Sequence, residues 1–236
     1  MLHVQNMVLD NCLSTIKHET IYYPNKIKQI IGRLNTQNLP EKDEREAVET
    51  ITELIEYYKG IFTILSSCAA RQLEEVTFRR NTIPVQELFD AAGKYFRKVT
   101  KNRTEKVELI IEPMDAKVIG DVNQLRFLFE NLIDEALAVR EEGVIRLQAR
   151  KDNEYIRFLF TDTRREKSVT ELNQLFYPNL ARMTSGEKGE LRGTEYLICK
   201  QIIRDHDEFA GRRGCRINAE PAEGGGFTVY FTIPRR

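Results

Sequence analysis

Residues 121–140 read DVNQLRFLFENLIDEALAVR, and this stretch decides what the second half of the chain can be. Val122, Leu125, Leu128, Leu132 and Ala136 recur at three- and four-residue steps, the pattern of an amphipathic helix with one apolar stripe. The spacing predicts a helix over 122–140. Asn131 and Glu135 lie four apart on an adjacent face, so an amide and a carboxylate can both reach one magnesium ion and the phosphates attached to it. The solvent edge of an ordinary amphipathic helix looks the same.

Working outward, short apolar runs at 107–111 and 116–119 read as strands, preceded by a helix over 84–99 and a short strand near 76–78. Downstream, 144–150 and 155–161 alternate as a hairpin around the polar turn Lys151, Asp152, Asn153. An irregular stretch over 164–190 follows. A helix over 194–205 and strands over 215–219 and 227–233, joined through the turn at 223–226, close the chain. Strands and helices mixed in this order give an α+β sandwich over 76–236.

The first seventy-odd residues follow a different rule. Leu9, Leu13, Ile16, Thr20, Tyr23, Ile27, Ile30 and Leu34 alternate four- and three-residue steps, and Val48, Ile51, Ile55, Tyr58, Phe62, Leu65 and Ala69 do the same. The Asn-rich segment 35–40, ending in Pro40, separates them, so 1–75 reads as an antiparallel two-helix hairpin. Glu41, Asp43 and Glu44 suit the positive end of the second helix. One hairpin buries too little surface to stand alone, which predicts a homodimer through 1–75 that forms a four-helix bundle. Helical pattern running up to Met1 predicts a start inside a longer helix.

Composition narrows the remaining choices. Lys+Arg and Asp+Glu are equal at 36 each, so no global field steers the protein to nucleic acid or an anionic membrane, and an anionic ligand must be held locally. Cys12, Cys68, Cys199 and Cys215 show no metal-ligand spacing, which fits a reducing, cytoplasmic setting. No apolar run reaches the roughly 18 residues that suggest a membrane span, and the start lacks the regions of a signal peptide.

His18 is the first candidate for chemistry. Placing Leu13 and Thr20 at a and Ile16 and Tyr23 at d puts His18 at f, the most exposed heptad position. An exposed imidazole beside Glu19 suits a nucleophile that accepts a phosphoryl group, although an exposed histidine is more often plain surface. Pro24 loosens the helix just downstream.

Taken in order, HE with a downstream Pro on a helical hairpin, then DVNQLRFLFENLIDEAL, TDT, LFYPNL, GELRGTEYLICKQII and GRRGCRINAEPAEGGGFTVYFTIP resemble the transmitter core of a sensor histidine kinase. The likeness covers nearly the whole chain. It is nearest to a divergent group in the Bacteroidetes whose histidine box reads KHETxYYP. The resemblance implies a histidine kinase ATPase (Bergerat) sandwich after the hairpin, ATP and magnesium as cofactors, and a response-regulator receiver domain as partner. The family's sensory segments and any membrane anchor lie upstream of such a core.

Carried across, His18 falls on the phosphoacceptor and Glu19 on the acidic residue that assists transfer. Pro24 sits six residues after His18 where the family has five, and Tyr22 stands where phosphatase-active relatives have Thr or Asn. Asn131 matches the first Asn of the N box, Glu135 replaces the second as the magnesium ligand, and Ala138 and Val139 replace a Lys and a Tyr, leaving Arg140 as the nearby cation. Asp162 aligns with the aspartate that accepts the adenine amino group, but Arg164 and Glu166 replace both following glycines. Gly189, Gly193 and Thr194 survive from the last glycine box, while Glu195 puts a carboxylate at the phosphate end of a helix. Phe176 resembles the phenylalanine before the ATP lid, with Arg182, Lys188 and Arg192 as compensating cations.

Two functions are left open by these residues. One is ATP-dependent autophosphorylation of His18 with transfer to a response-regulator aspartate, supported by His18, Glu19, Asn131 and Asp162. The other is a pseudo-histidine-kinase, a dimeric docking module without catalysis, supported by the lost glycines and the lost lysine.

Overall fold

The computed structural model describes residues 26–34, 43–52, 55, 78–177, 184–185, 191–192 and 194–236. They fall in two compact units, the larger made of 78–177 and 195–236. In the smaller unit, 26–34 (α1) and 43–52 (α2) are helical, and Val48 and Ile55 of the second apolar seam are exposed. No helix of the described residues is long and apolar enough to cross a membrane.

The larger unit runs β1 (Asn81–Pro84), α3 (Val85–Thr100), β2 (Val107–Ile111), β3 (Lys117–Gly120), α4 (Val122–Leu137), β4 (Gly143–Asp152), β5 (Tyr155–Asp162) and α5 (Val169–Gln174). The short antiparallel pair β6 (Thr184–Ser185) and β7 (Leu191–Arg192) belongs to the smaller unit. The larger unit then ends with α6 (Glu195–Phe209), β8 (Ile217–Pro221) and β9 (Phe227–Pro234). Its main sheet has the order β2-β4-β5-β9-β8, with β2 parallel to β4 and every other pair antiparallel. β1 and β3 form a separate two-stranded pair.

Period-two alternation sets the faces of this sheet. Ile156, Phe158, Phe160 and Asp162 of β5 are buried, while Tyr155, Arg157, Leu159 and Thr161 alternate with them on the other face. Phe158 stacks on Phe231 of β9 at 4.9 Å and meets Phe89 of α3 and Phe129 of α4 edge-on at 6.0 and 5.8 Å. These four rings tie the helices to the sheet. Removing a ring of this kind costs about 3–5 kcal/mol.

α4 starts where it does because Asp121 caps it. Asp121 Oδ1 accepts from the backbone N–H of Asn123 and Gln124 at 2.9 and 3.1 Å, and Oδ2 accepts from Arg79 N at 2.7 Å. Asp121 N–H in turn donates to His206 Nε2 at 3.1 Å, while His206 Nδ1 donates to Ile202 O at 2.7 Å. The fully buried ring is therefore held as the Nδ1–H tautomer.

Several elements depart from the sequence expectation. α4 ends at Leu137 rather than 140, because the chain turns there to reach β4. The expected strand near 76–78 falls mostly outside the described residues, and Phe78 itself is not in a strand; the unforeseen strand is β1, whose NTIP is too short and Pro-terminated to show a period. β4 extends inward to Asp152, so that only Asn153 and Glu154 turn the hairpin, with Asn153 at φ 51°, while β5 starts at Tyr155 as expected and gains Asp162 at its far end. The stretch over 164–190 is not wholly irregular, since α5 lies within it behind a capping box of Ser168 and Glu171. β8, β9 and α6 also run past their expected ends, to Pro221, Pro234 and Phe209.

Candidate functional site

The residues that could hold a nucleotide come from the C-terminal turns of α4 and the end of β5. Asn131 is buried and its Nδ2 donates to Phe127 O on its own helix at 2.7 Å. One turn further, Glu135 is half-buried, and its Oε1 lies 3.7 Å from Arg165 Nη1. Asp162 is buried at the inward position that closes β5.

Asp162 is fully engaged. Its Oδ1 accepts from Arg164 N at 3.1 Å and Arg164 Nε at 2.8 Å. Its Oδ2 accepts from Arg164 Nη2 at 2.9 Å and Arg165 Nε at 3.1 Å. A carboxylate offers about four lone-pair sites, so none is left for a further donor. Arg165 thus spans Asp162 and Glu135 and brings the two candidate carboxylates to one cation. Its guanidinium carbon also sits 5.6 Å from the centre of the Phe227 ring.

The surrounding turn is built for close approach. Gly226 has φ +81°, and a Cβ there would meet Asp162 O at 2.1 Å, so the Gly-rich turn 224–226 lies directly on the backbone that carries Asp162. Phe176 is buried and meets Tyr196 of α6 edge-on at 5.8 Å. Burial raises the Tyr196 hydroxyl well above its ordinary pKa, with the nearby Glu135 adding to the effect. Arg140 does not approach the carboxylates; it is exposed, and its Nε lies 3.8 Å from Glu105. Thr194 is buried immediately before α6, and Glu195 is the first residue of that helix.

His18, Glu19, Pro24, Tyr22, Gly189, Gly193, Arg182 and Lys188 lie outside the described residues, as does the side chain of Arg192. Among the expected residues, Asn131, Glu135 and Asp162 fall in one unit, the last two joined by Arg165. Sequence reasoning marked Arg164 as bulk in place of glycine but gave neither arginine a partner. The dipeptide Arg164–Arg165 directly after an inward-facing aspartate was the available signal.

Residues 120–236 match the family model described as histidine kinase-, DNA gyrase B-, and HSP90-like ATPase. The larger unit has the histidine kinase ATPase fold. No curated protein sequence matches. Among solved structures, the Acinetobacter baumannii histidine kinase AdeS is 13% identical with TM-score 0.51, covering 92% of this chain and 97% of its own. The nucleotide-free catalytic domain of histidine kinase ThkA is 19% identical with TM-score 0.52, over 66% of this chain and 98% of its own. ThkA in complex with the response regulator protein TrrA is 19% identical with TM-score 0.55, over 98% of this chain and 63% of its own. At these identities the likeness is one of fold.

ATPases of this family bind ATP, usually with magnesium, and the residues of this chain do not fit that group as arranged. The adenine amino group needs a free acceptor, and Asp162 has none. Of the two expected magnesium ligands, Glu135 is faced by the Arg165 cation, which disfavours a metal at its carboxylate.

Proposed function

We propose that this chain is a two-component signalling module of the pseudo-histidine-kinase kind, in which the ATPase-fold unit serves as a docking body rather than a nucleotide-driven kinase. The observation that carries this reading is the engagement of all four acceptor positions of Asp162 by Arg164 and Arg165. Exposure of Val48 and Ile55 supports a homodimer through 1–75, because a heptad seam left open in one chain is covered by a second. A receiver domain is the partner class, supported by the similarity to ThkA, which is seen with a response regulator.

A second reading has specific support. The heptad pattern puts His18 at position f with Glu19 beside it, and Asn131 and Asp162 align with the residues that hold the nucleotide in the family, which favours autophosphorylation of His18 with transfer to a receiver aspartate. It requires Arg164 and Arg165 to leave Asp162. The full chain incubated with radiolabelled ATP and magnesium, beside a His18→Ala variant, separates the two. The proposal expects no label and no heat of binding by calorimetry at millimolar ATP. Acid-labile, base-stable label on wild type that is missing from the variant refutes it in favour of the second reading. Light scattering at micromolar concentration tests the dimer, and a monomer there removes that part of the reading.

A further inference from the structure

We infer that Arg164 is an internal occupant of the adenine subsite, a built-in ligand that closes the larger unit without nucleotide. This rests on the pseudo-kinase reading and adds a role for the residue that makes the site unfit.

Arg164 follows Asp162 by two residues, and its side chain is 1% exposed, as is that of Asp162. The guanidinium is almost saturated. Nε and Nη2 hold the two Asp162 oxygens at 2.8 and 2.9 Å, Nη2 also donates to Ala136 O at 2.6 Å, and Nη1 donates to Glu141 O at 3.1 Å. Such a forked pair gives both charge and fixed geometry.

Each of these partners has a reason to want a donor. Ala136 O lies in the last turn of α4, where helical carbonyls lack intrahelical partners and where a cation complements the helix dipole. Glu141 O belongs to the connection from α4 to β4. Arg164 therefore joins three parts of the fold at one point: the end of β5, the end of α4 and the loop between α4 and β4.

A second residue is shaped to the arginine. Gly143 has φ +136°, and a Cβ there would lie 2.8 Å from Arg164 Cγ, so the side chain passes where any other residue would collide with it. Asp162 is closed from the far side by Arg165. The subsite is filled by a side chain that has its own dedicated space and its own acceptors, as a bound ligand would.

The test uses the full chain, with thermal melting as the readout and methylguanidinium and ADP as probes. Losing one partner of a buried pair lowers the Tm of Arg164→Gly by about 10 °C. Millimolar methylguanidinium raises the Tm of that variant and not of wild type, because the free cation re-enters the vacated place. Arg164→Lys, which keeps the charge and lacks the fork, melts close to Arg164→Gly. A Tm for Arg164→Gly within about 2 °C of wild type overturns the inference, and so does an equal response of both proteins to methylguanidinium. If Arg164→Gly is not recovered folded, Arg164→Lys is compared with wild type against the same thresholds. ADP added to wild type reads the other question: a rise in its Tm refutes the proposed function, whereas the nucleotide-free melts alone decide the role of Arg164.

Discussion

Lowering the pH from 7.5 to 5.0 should weaken the larger unit through His206. The ring is fully buried, its Nε2 accepts from Asp121 N–H, and its Nδ1–H donates to Ile202 O. Phe78 packs edge-on against it at 5.0 Å, and a Cβ on Gly120 would stand 2.7 Å from it, so water has little access. Burial lowers its pKa from 6.5 to about 4, against smaller opposing effects of the Ile202 carbonyl and the Asp121 carboxylate. A depressed base contributes stability that is fully present above its unfolded pKa and is lost as pH falls toward the folded one. The unfolded chain binds the proton first. Between pH 7.5 and 5.0 this linkage removes about 2 kcal/mol, at about 1.4 kcal/mol per pH unit below 6.5. Protonated Nε2 also has no lone pair for Asp121 N–H, so the entry of α4 loosens at the same point. Urea unfolding of wild type and His206→Gln at both pH values isolates the effect, because other titrations are shared. Wild type should lose about 2 kcal/mol more than the variant over this interval. An equal loss in the two proteins refutes the reasoning.

Asp121→Ala removes the acceptor of three backbone N–H groups and should cost about 2–3 kcal/mol in urea unfolding, with Asp121→Asn recovering part of it. Gly226→Ala forces a Cβ against Asp162 O at a φ of +81° and should lower stability by more than about 1 kcal/mol, read as a drop in Tm. Burial raises the thiols of both Cys199 and Cys215, the former well above its ordinary value and the latter to about 12. Iodoacetamide at pH 8 should therefore label their peptides, followed by mass spectrometry, only after unfolding.

The sheet was legible because its pattern is local. Alternation in 155–161 put Phe158 and Phe160 on one face, and continuing it by one residue puts Asp162 there too. The stripe of α4 was legible for the same reason, although Phe129 and Ile133 join it, since two layers press on this helix. α5 carried a readable signal in the Ser168–Glu171 capping box that hydrophobic periodicity passes over. β1 carried none, because four residues ending in Pro84 have no period and gain their pairing only from β3.

The closed site was not legible, and the reason is the reach of arginine. Asp162 and Arg164 are near in sequence, but the direction of the guanidinium is fixed by Ala136 O and Glu141 O, 28 and 23 residues away. Which carbonyls are left open depends on where α4 stops, and it stops at Leu137, three residues short of the end its pattern predicts. Glu135 was rightly placed beside Asn131 on α4; its pairing with Arg165 depended on the return of β5.

The manner in which Arg164 is held also bears on how this domain can change over generations. A single replacement by glycine leaves two carbonyls and a buried carboxylate without their shared donor, while an exchange at Gly143 with the arginine still present drives a side chain into it. A single exchange at either position thus lowers the stability of the fold. The arginine acts as a ratchet: once three segments of the fold lean on one guanidinium, it can be exchanged without loss of stability only by several changes made together.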